Sequence, residues 1–280
     1  MTIFSKNEVF LKEFHAQLPG CTSQTMASQL TPENKSSYEL LADLVPVGNK
    51  PLKVLDLACG DGYLLSLLES RNQQGLELHG IDMSEGELSA AKKRLGHSRG
   101  LEIGRVQELP FADASFDVVL CHMAFMLMDS VDEVVREISR VLKRAGIFSA
   151  IISGKRTDNP ANQVFRELAV STLEKQHLDF LSQIGDSRLK RTSTNEGIQS
   201  VFESSFSDPI QIKDFLLTAH ETIDGATHFF MSYYLSALLE KSKKIEFENE
   251  LRSRLTKLAD SQGRVKCVEC LTQIIAQLRN

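Results

Sequence analysis

Between residues 52 and 152, short apolar runs alternate with longer stretches in which apolar residues recur every three or four positions. The first pattern suits strands buried on both faces and the second suits amphipathic helices. Their alternation predicts βαβ units on a parallel sheet. The runs are Leu52 to Leu57, Leu76 to Asp82, Leu101 to Val106, Phe116 to Cys121 and Ile147 to Ile152. Two intervening helices carry start and stop signals. Ser84-Glu85-Gly86-Glu87 reads as a capping box ahead of Leu88, Ala91 and Leu95, with Gly96 as the stop. Ser130-Val131-Asp132-Glu133 reads as a second, ahead of Val134, Val135, Ile138, Val141 and Leu142, with Gly146 as the stop.

The flanks differ. The first fifty residues read as helical, with starts at Thr31-Pro32-Glu33 and Ser36-Ser37. After Ser153, helices are expected at Gln163 to Leu173 and Leu178 to Ile184, followed by a loop over Gly185 to Gly197. Strand signals return at Ile210 to Leu217 and Val265 to Ile275, around a helical block from Ala226 to Lys257 that breaks near Lys241. The fold class expected is α/β, a Rossmann-like, doubly wound, mostly parallel seven-stranded sheet with a helical N-terminal segment and a lid insertion.

Composition narrows the partners. At 280 residues and 42% hydrophobic content the chain can bury one large core. A net charge of -5 and a pI of 5.9 leave no global positive field for nucleic acid or an anionic membrane. The basic clusters at Arg188, Lys190 and Arg191 and at Lys241, Lys243 and Lys244 read as solvated faces. No uncharged apolar run approaches the ~18 residues of a membrane span, and charges interrupt the N-terminus, so a cytoplasmic monomer or homodimer is expected. Five scattered cysteines do not form a disulfide framework, and Cys267 and Cys270 lack the further ligands of a metal site.

The candidate chemistry sits at Asp56-Leu-Ala-Cys-Gly60-Asp-Gly62, between a buried strand and the helix Tyr63 to Leu68. Glycines in such a turn let backbone approach a ligand. Asp82 ends the next strand, where a carboxylate suits the two hydroxyls of a ribose. Asp56 favours S-adenosylmethionine over a dinucleotide, because a carboxylate there would repel a pyrophosphate but tolerates an ammonium and a sulfonium. Leu65 also stands where the dinucleotide fingerprint has its third glycine.

From Lys53 to Ile152 the chain resembles the class I S-adenosylmethionine-dependent methyltransferases, in particular their type 11 small-molecule group. VLDLACGDG resembles the first motif, with Ala58 in place of a usual glycine, GIDMSEGEL the second, LPFADASFDVVLCHM the third and fourth, and EISRVLKRAGIF the following helix and strand. The resemblance implies a cofactor site in which Asp56, Ala58, Gly60 and Gly62 line the methionine end and Cys59 also touches the cofactor. Asp82 would take the ribose, Met83 would pack on adenine, and Val106 and Gln107 would edge it. That family commonly has an Asp at the position of Arg105, accepting from the adenine amine; Gln107 or Glu108 could take its place.

Ligands of open α/β sheets bind beyond the carboxyl ends of the strands, which puts Cys121, His122 and Met123 near the reacting methyl. His122 has three readings: a general base, an edge of the cofactor site, or a structural hydrogen-bonding residue. His15 and Tyr38 could close over the methionine carboxylate or the substrate, or serve surface or core. The lid is expected from the N-terminal helices, the insertion and the aromatic residues Phe229, Phe230, Tyr233 and Tyr234. The implied organisation is a cap at 1–50, an S-adenosylmethionine-binding core at 51–153, a helical lid insertion at 154–205, and completing strands and helices at 206–280. Methyl transfer to a small molecule is the function expected. Carboxyl O-methylation of a carrier-bound acyl chain, a catalytically silent S-adenosylmethionine-binding regulator and a nicotinamide-dependent oxidoreductase are the alternatives.

Overall fold

The computed structural model describes residues 4–175, 177, 179, 191–207 and 209–279. The N-terminal segment forms α1 (Lys6–Gln17), α2 (Cys21–Met26) and α3 (Ser37–Ala42). Capping boxes start two of them, Ser5 with Glu8 and Ser36 with Glu39. Thr31 and Pro32 begin no helix. The alternating region gives β1 (Leu52–Leu57), α4 (Tyr63–Glu69), β2 (Leu76–Asp82), α5 (Glu85–Leu95), β3 (Leu101–Ile103), β4 (Phe116–His122), α6 (Val131–Val141) and β5 (Leu142–Ser153). Then come α7 (Pro160–Thr172), α8 (Asn195–Phe202), β6 (Gln211–Thr222), α9 (Ile223–Met231), α10 (Tyr234–Ala237), α11 (Lys241–Thr256) and β7 (Arg264–Gln277).

Seven strands form one sheet in the order β3-β2-β1-β4-β5-β7-β6. The first five run parallel, while β7 pairs antiparallel with both β5 and β6. Alternation along the central strands feeds two cores. Val54, Val118, Leu120 and Ile151 join α3, α4, α7 and α9 on one face. Leu55, Leu57, Val119 and Phe148 join α6 and α8 on the other, where Phe202 packs at 5.6 Å from Phe125 and 5.5 Å from Phe148.

Several local expectations differ from what forms. Leu142 already pairs with Phe116 as strand, so α6 stops at Val141 and Gly146 lies inside β5 rather than ending the helix. Ala145 takes the left-handed turn conformation there, at φ 58°. Ser130 sits at φ 52° and makes no side-chain cap, which removes the second capping box although its helix forms. Ser84 does cap α5, but Glu87 turns its carboxylate to Gly20 and His15 instead of back to Ser84. The strand expected to reach Val106 ends at Ile103. Apart from residue 179, the helix expected at 178–184 lies outside the described residues, as do residues 185–190 of the expected loop, whose last residues are helical because α8 begins at Asn195.

Candidate active site

A cleft of about 1030 Å³, counting its open mouth, lies beyond the carboxyl ends of β1, β2 and β4. The loop after β1 forms its floor. Ala58 and Gly60 adopt φ of 52° and 54°, and a side chain on Gly60 would enter open space bordered only by the Glu87 carboxylate at 3.7 Å. Asp82 holds that loop: its Oδ2 accepts from the Gly60 N–H at 2.9 Å and its Oδ1 from the Ser84 N–H at 2.8 Å. Burial pushes the Asp82 carboxyl above its usual range, against those two N–H groups, which favour the anion.

Asp56, near the carboxyl end of β1, is buried and its Oδ1 has no partner. Burial, and then the neighbouring carboxylates Asp82 and Asp61, push its carboxyl well above the usual range. Tyr38 and His122 stack across the same wall with ring centroids 3.7 Å apart. His122 Nε2 bonds Ser37 Oγ at 2.8 Å while Nδ1 has no partner. Burial alone pushes the His122 imidazole down to about 3. An imidazole so weakly basic is a poor proton acceptor at neutral pH. Its place in the cleft lining and its bond to α3 favour the cofactor-edge and structural readings of His122 over the base reading.

Cys59, Met83, Val106 and Gln107 line the cleft with Ala58, Gly60 and Asp82. Two expected residues do not. Cys121 is fully buried on the β4 face that carries Val119, packed with Leu55 and Leu57, because strand alternation turns it away. Gly62 lies behind the loop at φ 73°, where an added Cβ would meet Ala91 of α5 at 3.1 Å. Close packing of α4 on α5 accounts for a glycine at this position.

The wall from α1 holds His15, which the sequence singled out, beside Glu8 and Leu11, which it did not. Glu8, Leu11 and His15 all face the cleft. Gly86 makes this approach possible, since a Cβ there would strike the Ala16 backbone at 2.8 Å. Glu8 Oε1 accepts from Arg105 Nε at 3.0 Å and Nη2 at 2.6 Å, and from Gln107 Nε2 at 3.4 Å. Glu108, one of the expected replacements for the family Asp, is exposed and does not reach the cleft.

His15 Nδ1 lies 2.9 Å from Glu87 Oε1, and its Nε2 lies 3.1 Å from the Tyr234 hydroxyl. Burial favours neutral His15, but Tyr234, the Cys21 thiol and the Glu87 carboxylate outweigh it and raise its pKa well above the usual value. His15 and Tyr234, with Thr22, Met123 and Leu127, also border a second cavity of about 1070 Å³. Phe229 and Tyr233 line that cavity, whereas Phe230 turns into the core and stacks on Phe165 at 5.0 Å. None of the described residues of 154–205 lines either space; α7 instead buries Ala161, Phe165 and Leu168 against the sheet. Among the described residues no metal-ligating cluster occurs, and no helix is long and apolar enough to cross a membrane.

Comparison with known proteins agrees with this architecture. A family model described as a methyltransferase domain matches residues 55–150. The demethylmenaquinone methyltransferase of Thermotoga maritima is 42% identical over 96 residues, which are 34% of this chain and 41% of that protein. The malonyl-[acyl-carrier protein] O-methyltransferase of Methylococcus capsulatus is 31% identical over 120 residues, 42% of this chain and 43% of that one. The chain thus spans less than half the length of these curated relatives. Among solved structures, phosphoethanolamine N-methyltransferase 2 of Haemonchus contortus, in complex with phosphomonomethylethanolamine and S-adenosylhomocysteine, matches in fold with a TM-score of 0.60 and 15% identity. That match covers 99% of this chain and 61% of the other. Residues 55–150 thus match a methyltransferase domain, set in a seven-stranded sheet whose glycine loop is closed by Asp82.

Proposed function

We propose that the chain binds S-adenosylmethionine in the cleft and passes its methyl group to a small-molecule acceptor. The observation that carries this reading is Asp56, a buried carboxyl with an unpartnered oxygen on a wall shared with Asp61, Asp82 and Glu87. Burying such a group without a partner is costly. An ammonium or sulfonium offsets that cost, while a pyrophosphate would add to it.

When bound, the cofactor supplies a methyl group on a sulfonium whose sulfur keeps the bonding pair as the acceptor takes the methyl. The chain binds and aligns. In this reading Asp82 accepts from the ribose hydroxyls through lone pairs left over from Gly60 and Ser84, since each carboxylate oxygen can accept twice. Met83 and Val106 pack on adenine, and Ala58 and Gly60 let backbone reach the methionine end. The α1 helix and Tyr234 keep water out, and alignment of the reactants contributes roughly 7 to 11 kcal/mol.

The names of the curated relatives, which act on demethylmenaquinone and on a malonyl carrier protein, support a small or carrier-bound acceptor. Among the described residues no Lys or Arg lines the second cavity, which favours an uncharged acceptor over a free carboxylate. The reading includes a cytoplasmic enzyme, monomeric or homodimeric, with no nucleic-acid partner, and residues 1–50 as the cap over a core at 51–153. Calorimetry with S-adenosylmethionine and S-adenosylhomocysteine tests it. Micromolar binding of both and a raised melting temperature are expected. Absence of heat and of thermal shift at millimolar ligand would overturn it.

A further inference from the structure

The second cavity differs in chemistry from the cleft beside it. Its walls are rings and thioethers: Phe14 from α1, Met26 from α2, Met123 and Met126 after β4, and Phe229 and Tyr233 at the end of α9. Such surfaces stack flat rings and adapt to their outline. The lone acidic group among the residues that border this space is Glu269 of β7. Its Oε1 already accepts from the Tyr233 hydroxyl at 2.7 Å and from Asn162 Nδ2 at 3.1 Å, which fixes the carboxyl in place. Its Oε2 makes neither of these bonds and is not among the buried atoms without a partner.

We propose that this cavity takes the methyl acceptor, that the acceptor is an uncharged, flat ring molecule bearing a hydroxyl group, and that Glu269 selects it by accepting from that hydroxyl. The inference rests on the methyltransferase reading and deepens it. Three observations define the class. Ring and methionine walls select flat apolar bodies. The absence of Lys and Arg among the described lining residues, with Glu269 present, rejects anions. The His15–Glu87 pair at the boundary of the two spaces, 2.9 Å apart, adds no net positive charge there. Glu269 borders the second cavity and not the cleft, whereas His15, Met123 and Tyr234 border both. The group that Glu269 reads therefore stays behind, and the atom to be methylated is the one that reaches the shared boundary.

The probes are 2-naphthol and 2-naphthoate, followed by saturation-transfer NMR with S-adenosylhomocysteine present, while calorimetry follows S-adenosylhomocysteine separately. Wild-type protein should bind 2-naphthol and discriminate against 2-naphthoate. Glu269→Leu should weaken 2-naphthol about tenfold or more, the loss of a hydrogen bond to a carboxylate, and should narrow the discrimination against 2-naphthoate. Thr25→Trp, which fills the cavity from α2, should abolish 2-naphthol binding with S-adenosylhomocysteine affinity and melting temperature kept. Equal binding of both probes to the wild type, or undiminished 2-naphthol binding in folded Thr25→Trp, would overturn the proposal. Failure of S-adenosylhomocysteine alone to bind would count against the cofactor reading and leave the two-probe comparison standing as a separate result.

Discussion

Arg105 donates through both Nε and Nη2 to one oxygen of Glu8, which ties the loop after β3 to the first turn of α1. The same carboxylate caps its own helix by accepting from the Ser5 N–H at 2.8 Å. A cation stands where the resembling family commonly has an acid, and the acid arrives from the N-terminal helix instead. Both side chains face the cleft.

Glu8→Gln is expected to weaken S-adenosylhomocysteine binding about tenfold, because Arg105 then keeps its charge in a half-buried place with no counterion. Calorimetry on Glu8→Gln, Arg105→Gln and the double variant gives the coupling between the two. Unchanged affinity in all three would remove α1 from the cofactor wall.

Asp56→Asn should raise the melting temperature of the ligand-free protein at neutral pH. A carboxyl whose folded-state pKa is raised above its usual 3.8 contributes stability that is complete below that value and is lost as pH rises through the folded-state pKa. The gain from the amide should accordingly shrink as pH falls toward about 4. Affinity for S-adenosylmethionine should fall in the same variant. A variant less stable than wild type at pH 7 and no more so at low pH would show that Asp56 is satisfied within the fold.

His122 should stay neutral throughout the range in which free histidine titrates. Its imidazole is pushed down to about 3, so its own NMR titration should show no midpoint near 6.5. Because that pKa is depressed, the folded state loses stability as pH falls below the unfolded value, and His122→Asn should flatten that loss. A midpoint near neutrality would restore His122 as a candidate base.

The sheet was legible in the sequence from Leu52 to Ile152 because buried parallel strands and amphipathic helices write different periods. Its edges were less so. Leu142 completes an amphipathic helical stripe and also fits a strand, and pairing with Phe116 decides for the strand. Within the site, Asp56, Gly60, Asp82, Met83 and Gln107 belong to local turns whose residue types announce them. Glu8 and Glu87 carried no such signal. His15 meets partners 72 and 219 positions away, and periodicity holds no information about pairs so distant. Gly86 was the faint clue to α1, a glycine inside a helix start that only a close neighbour explains.

Of the described residues bordering the second cavity, only Met123, Met126 and Leu127 fall within the stretch 55–150 that matches the methyltransferase-domain model. Every other wall residue comes from the flanks, from Phe14 in α1 to Glu269 in β7. The cofactor loop and the proposed acceptor cavity thus draw on different parts of the chain. The turn at Asp56 and Gly60 can persist across relatives while the flanks diverge around it, and a graft of residues 1–50 with 206–280 onto another such core should carry the choice of acceptor with it.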